Sequence, residues 1–183
     1  MNAAEKLMET MNQELEEHAY VTITVTSICE KSQVSRPTFY HHFLSLADLV
    51  LKSLKHRLDT DVYPFETWED WLDHTRELLE YMRENHNYFV HAFDRDVRRA
   101  SSHYFDRILS EFIEEREQAL DHQLAPEEKN FICGIYSGVI VSLINEYIAS
   151  DMTLDKEFLV SQYNSLLVGS IDRAINSCKE AAR

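Results

Sequence analysis

Residues 32–43 read SQVSRPTFYHHF, and how this stretch is parsed decides the fold. Ser35 is a residue type that caps helix N-termini, and Pro37 falls in the first helical turn, where a missing N–H costs little. A short helix is therefore predicted to start at Arg36. Just upstream, residues 20–32 read YVTITVTSICEKS, in which Val21, Ile23 and Val25 alternate with threonines, a strand by propensity alone. Yet Val25, Ile28 and Cys29 also follow the i, i+3, i+4 spacing of a helix face, and Thr24 is a capping residue. The reading adopted is a short turn and then a helix beginning near Thr24. Two short helices joined by a tight turn, the second opening on polar and basic groups, make a helix-turn-helix.

Working outward, Leu7, Met8, Met11 and Leu15 recur at helical spacing, so residues 3–18 are expected to form a first amphipathic helix. Ser45 is placed to cap a further helix carrying Leu46, Leu49, Val50, Leu54 and Leu58, which ends before Pro64. Beyond it, Thr67 and Asp70 resemble a capping box ahead of Trp68, Trp71, Leu72, Leu78, Leu79 and Met82. A segment from about Asn87 to Asp96 holds Tyr88, Phe89, Val90 and Phe93, and residues 91–99, HAFDRDVRR, read as a solvated, salt-bridged loop. Helices are then expected over about 102–122, from Pro126 through Ala149, and over about 155–178 as one continuous element. The helix from Asn130 is apolar around most of its circumference and is expected to be buried on nearly all sides. The whole reads as all-α with about nine helices: a three-helix helix-turn-helix module over residues 1–60, then a helical domain over residues 61–183. Three Gly and three Pro in 183 residues agree with long uninterrupted elements.

The formal net charge is −14, but it is unevenly spread. Residues 1–60 carry 6 Lys and Arg against 8 Asp and Glu; residues 61–183 carry 12 against 24. Between Val21 and Arg57 the sign reverses, with Lys31, Arg36, Lys52, Lys55 and Arg57 against Glu30 and Asp48. A locally basic face on an acidic chain suits DNA binding. Cys29, Cys133 and Cys178 are odd in number and far apart, which suggests three free thiols. No uninterrupted apolar run approaches the roughly 18 residues of a bilayer span, and MNAAEKLMET lacks the basic-then-apolar order of a secretion signal. A cytoplasmic protein without a membrane partner is expected. No G-x-S-x-G, H-E-x-x-H, P-loop or paired-thiolate pattern occurs, so no enzyme, cofactor or metal is implied. His86, His91, Asp94 and His103 match no standard metal-ligand spacing.

Residues 24–49, TVTSICEKSQVSRPTFYHHFLSLADL, resemble the N-terminal signature of the TetR/AcrR family of bacterial transcriptional regulators. Thr24, Val25, Ile28, Val34, Ser35, Thr38, Phe39, Tyr40, His42, Phe43, Ser45 and Leu49 fit its pattern in register without a gap. Three positions depart from it: Gln33 stands where the family has its turn glycine, Leu46 where it has a lysine that meets phosphate, and Ala47 where an acid follows. The resemblance implies a ligand-responsive regulator, repressor in sign, that binds palindromic double-stranded operator DNA as a homodimer.

On that resemblance the DNA-binding residues are Thr24, Ser35, Arg36, Pro37, Thr38, Tyr40, His41 and His42. Arg36 is assigned base readout, with a phosphate contact or a solvated side chain as the other readings. Each histidine is read either at the groove or backbone or as a solvated polar group. Phe39 and Phe43 are expected in the core. Aromatic density suggests Trp71, Phe89, Phe93 and Tyr104 as contacts for an unknown small-molecule effector, with ordinary core the competing role for each. The family's dimer interface falls on the last two helices, where Gly134, Gly138, Tyr147, Tyr163, Leu167 and Ile171 are the candidates. The alternative is an interaction protein of the same fold that has lost specific DNA binding and acts through protein contacts, suggested by Leu46, an N-terminal arm poor in basic residues and the strong acidity.

Overall fold

The computed structural model describes residues 1–61, 71–167 and 169–181, with the side chains of 59–61, 71–72, 102–104, 107–108 and 180–181 outside the description. The described chain is all helical: α1 (Ala3–Glu17), α2 (Val25–Ser32), α3 (Arg36–His42), α4 (Leu46–Asp61), α5 (Trp71–Glu84), α6 (His86–Ala92), α7 (Arg95–Ala119), α8 (Pro126–Ala149), α9 (Lys156–Leu167) and α10 (Ser170–Ala181), with one 3₁₀ turn at Tyr20–Thr22. It folds as two compact units, one formed by the N-terminal residues together with Asp73–Ala100, the other from Ser101 onward.

In the first unit α1 is the central element, packed against α2, α3, α4 and α6. Its apolar stripe, Leu7, Met11 and Leu15, is fully buried, and Asn2 closes its N-terminus in a capping box with Glu5. The strand-like threonine stretch resolves as expected into a turn and a helix. Thr24 caps α2 by accepting from the Ser27 N–H at 3.0 Å, while the Ser27 hydroxyl accepts from the Thr24 N–H at 3.1 Å. The propensity signal loses because Ile28 and Cys29 reach the core only from a helix.

Three expectations are corrected. The charged stretch 91–99 is not a loop: α6 closes at Phe93, and Arg95 already lies in α7, which begins seven residues earlier than expected. The Asp94 carbonyl accepts from the Arg98 N–H at 2.9 Å, and fully buried Val97 supplies the apolar anchor among the charges. The final helix is two helices, α9 and α10, because the chain turns at Gly169 with φ +65, the left-handed conformation that glycine adopts without penalty. α8 is not buried on nearly all sides either.

In the second unit Ile132, Cys133, Ser137, Ile140, Val141, Leu143, Ile144 and Tyr147 of α8 face the interior. The opposite side is open: Phe131 is 70% and Ile135 53% exposed, and a Cβ built on Gly134 or Gly138 would meet nothing within 4 Å. By length and composition α8 is long and apolar enough to cross a bilayer, and less than half of its most apolar stretch is buried in the chain. The turn between α7 and α8 is held by Glu117, whose buried carboxylate accepts from the Leu124 N–H at 2.6 Å and pairs with Lys129 at 3.5 Å. Ser137 donates to Asp106 of α7 at 2.5 Å, and Arg116 of α7 makes two hydrogen bonds to Asp172 of α10. Cys29 and Cys133 are buried and Cys178 half-buried, all as free thiols.

Candidate nucleic-acid interface

The turn between α2 and α3 is built by Gln33, at φ 56 and ψ 36, where its Cβ costs about 1 kcal/mol relative to glycine. The backbone there closes α2: the Gln33 N–H donates to Glu30 O at 3.3 Å and the Val34 N–H to Cys29 O at 3.0 Å. Ser35 then caps α3, accepting from the Thr38 N–H at 3.2 Å, with the two hydroxyls 2.7 Å apart. Arg36 and Pro37 occupy the first turn as the sequence predicts.

α3 is anchored by one fully buried side chain, Phe39, against which the Tyr40 ring stands edge-on at 5.2 Å and the Phe43 ring tilts at 5.8 Å. Burying a phenylalanine in this way contributes about 1.5 to 3 kcal/mol. It turns Ser35, Arg36, Pro37, Tyr40 and His41 outward, with Thr38 and His42 half-buried. The His41 and His42 rings meet edge-on at 5.0 Å. At the far end of α3, the Lys52 ammonium donates to the His42 carbonyl at 3.1 Å, a cation placed where the helix dipole favours it. The sequence-predicted DNA-binding residues other than Thr24 are thus gathered on one seven-residue helix and its cap, and Thr24 caps the helix before it.

The basic character of this region is less available than its composition suggests. Lys31 pairs with Glu14 at 2.6 Å, Lys52 with Asp48 at 3.0 Å, and Arg57 with Glu16 at 3.4 Å. Arg36 is exposed and, among the described residues, in no ion pair. Burial pushes the Cys29 thiol above its ordinary value, and the neighbouring Arg36 charge works against that shift.

Of the proposed ligand contacts, Phe89 and Phe93 are buried in the first unit, their rings stacked 6.1 Å apart and flanked by Tyr81 and Tyr88. They are core residues there. The side chains of Trp71 and Tyr104 lie outside the described residues, as do Trp68, the Thr67–Asp70 capping box and the His103 ring. Among the described residues no group of three or more His, Cys, Asp or Glu is placed to hold a metal ion. Of the dimer candidates, Gly134 and Gly138 lie on the open side of α8 and Tyr163 is half-buried, whereas Tyr147, Leu167 and Ile171 are enclosed within their own unit. Phe158 and Leu166 of α9, which the sequence reading passed over, are 56% and 65% exposed.

Sequence reading also missed the environment of Arg57. Its guanidinium donates through Nε to the Tyr81 hydroxyl at 2.9 Å and through Nη2 to Asn85 Oδ1 at 2.6 Å, and lies 4.3 Å above the Tyr88 ring. Although burial works against the charge, the Tyr81 hydrogen bond and the surrounding groups hold its pKa above the ordinary arginine value.

The model of a TetR-type "Transcriptional regulator C-terminal region" matches residues 69–169, more than half of the chain. The HTH-type dhaKLM operon transcriptional activator DhaS of Lactococcus lactis subsp. lactis (strain IL1403) is 26% identical over 161 residues, covering 86% of this chain and 84% of that protein. The structure of a dihydroxyacetone kinase operon activator DhaS superposes with a TM-score of 0.55 at 22% identity, over 93% of this chain and 96% of that one, a likeness of fold. With the helix-turn-helix built from its own residues and more than half its length matched by that model, the chain belongs to the TetR family of transcriptional regulators, a family of DNA-binding proteins and not of enzymes.

Proposed function

We propose that the protein binds palindromic operator DNA as a homodimer in the cytoplasm, with residues 1–60 as DNA-binding domain and residues 61–183 as effector-binding and dimerisation domain. The observation that carries this reading is α3 itself: capped by Ser35, pinned by Phe39, and presenting at its N-terminal turn an exposed Arg36 that is in no ion pair among the described residues. Arg36 reads guanine edges in the major groove; Thr38, Tyr40 and the Thr24 cap meet phosphates; Pro37, His41 and His42 flank them. The two-fold partner is a second copy meeting the open side of α8 and α9, where Phe131, Gly134, Ile135, Gly138, Phe158 and Leu166 are exposed. Two recognition helices must reach successive major grooves, and such an apolar strip supplies the pairing that does it. The effector is a small apolar molecule, for which aromatic density around Trp71 and Tyr104 is the support.

Family resemblance favours repression, while the L. lactis relative is named an activator, and this second reading rests on that observation. Selection of bound fragments from random double-stranded DNA, followed by a promoter reporter carrying the recovered site, tests both. A palindrome is expected; expression rising on deletion of the gene marks a repressor, and falling marks an activator. No enrichment from folded dimer overturns the operator reading and leaves an interaction protein of the same fold. The promoter of a dihydroxyacetone kinase operon is the first natural fragment to try.

A further inference from the structure

Arg57 lies near the end of α4, and its side chain, 17% exposed, reaches three other helices of the first unit. It meets Glu16 of α1, Tyr81 of α5, Asn85 at the N-cap of α6, and the ring face of Tyr88 of α6. The arrangement is a fork: Nε has its acceptor on α5 and Nη2 its own on Asn85, the residue that joins α5 to α6, so both the position and the rotation of the guanidinium are fixed, which a single point charge would not achieve. Two further links close the network around it. The Ser53 hydroxyl of α4 donates to Asn12 Oδ1 of α1 at 2.7 Å, and the His91 ring nitrogen Nδ1 of α6 meets the Leu15 carbonyl of α1 at 2.8 Å. α4 begins where α3 ends, with only Phe43, Leu44 and Ser45 between them, so the pose of α4 sets that of the recognition helix.

We infer that Arg57 is a positioning residue for DNA reading: its fork onto Tyr81 and Asn85 holds α4 in the pose that presents α3. The inference rests on the operator-binding reading above. Without the fork, α4 samples other poses; the fraction of heads ready to bind falls, and the apparent operator affinity falls with it. Lysine keeps the charge but cannot span both acceptors, so a requirement for charge alone is rescued by Arg57→Lys and a requirement for the fork is not.

The test measures operator affinity by fluorescence anisotropy, and melting temperature separately, for the full-length wild type, Arg57→Lys, Arg57→Met, Tyr81→Phe, Asn85→Ala and the Arg57→Met combinations with each of the last two. Expected are a loss of about tenfold in affinity for both Arg57 variants and a smaller loss for Tyr81→Phe and Asn85→Ala. In the combinations the losses are not additive, because one fork is being cut twice. Should Arg57→Met fail to fold, Tyr81→Phe, Asn85→Ala and their double variant carry the same test. Unchanged affinity in folded variants, additive losses, or full rescue by lysine overturns the positioning role while leaving operator binding intact. A wild type that binds no operator overturns the underlying reading instead, and the inference falls with it.

Discussion

The salt dependence of operator binding should be shallow for a protein of this fold, and the ion pairs of the first unit say by how much. Each phosphate neutralised by a cation steepens the slope of log affinity against log salt by about 0.9. If all five cations between Val21 and Arg57 met phosphate in both protomers, ten contacts would give a slope near −9. Lys31, Lys52 and Arg57 are instead committed to Glu14, Asp48 and Glu16, which withdraws six of the ten contacts. At most four contacts remain, so the slope is no steeper than about −4, and raising salt fourfold weakens binding by no more than roughly 150-fold instead of several hundred-thousandfold. Thr38, Tyr40 and the N-terminus of α3 add neutral contacts that release no counterion. Anisotropy titrations on the selected operator between about 50 and 200 mM salt read the slope directly. A value near −9 would refute the argument, because it would require the paired lysines and Arg57 to abandon their carboxylates on DNA. Glu14→Gln adds an internal check: with Lys31 released, the slope should steepen by up to about 2 for the dimer.

Three further outcomes are expected. Arg36→Ala should flatten discrimination at one operator position by about 1 to 3 kcal/mol, seen in competition among single-base variants, whereas Tyr40→Phe should weaken all sequences alike. Gln33→Gly should relieve the left-handed strain and stabilise the protein by about 0.5 to 1 kcal/mol, read as a shift in the urea midpoint with unchanged slope; no gain would mean the turn tolerates the Cβ. Ile135→Glu sets a charge on the open side of α8, and sedimentation should show monomers with correspondingly weakened operator binding; a dimer of unchanged affinity would place the interface elsewhere.

What was legible in the sequence was local. Thr24, Ser35, Pro37 and Ser45 act within three or four residues of themselves, so the two short helices, their turn and the start of α4 follow from spacing alone. The start of α7 was hidden because Val97 is a single apolar anchor among Arg95, Asp96, Arg98 and Arg99, too few to show a period. Gly169, whose φ is positive, sits between two apolar stripes that fall on one continuous period, so the pattern runs straight across the break between α9 and α10. Apolarity around all of α8 could not tell a side facing its own core from a side facing solvent, since both are written in the same residues. For the same reason aromatic density left Phe89 and Phe93 between ligand contact and ordinary core, and the structure buries both. The Arg57 fork joins residues 24 and 28 positions apart, with no periodic signal between them.

That α5 and α6 fold together with the N-terminal helices changes how this molecule should be cut. A fragment ending near residue 60, where the sequence suggests a boundary, would strip from α1 the side that α6 covers and leave Arg57 without Tyr81, Asn85 and Tyr88. A transplantable reading module would have to run to Ala100, inside α7, and a chimera joined there would carry its own brace for α4 into the new host.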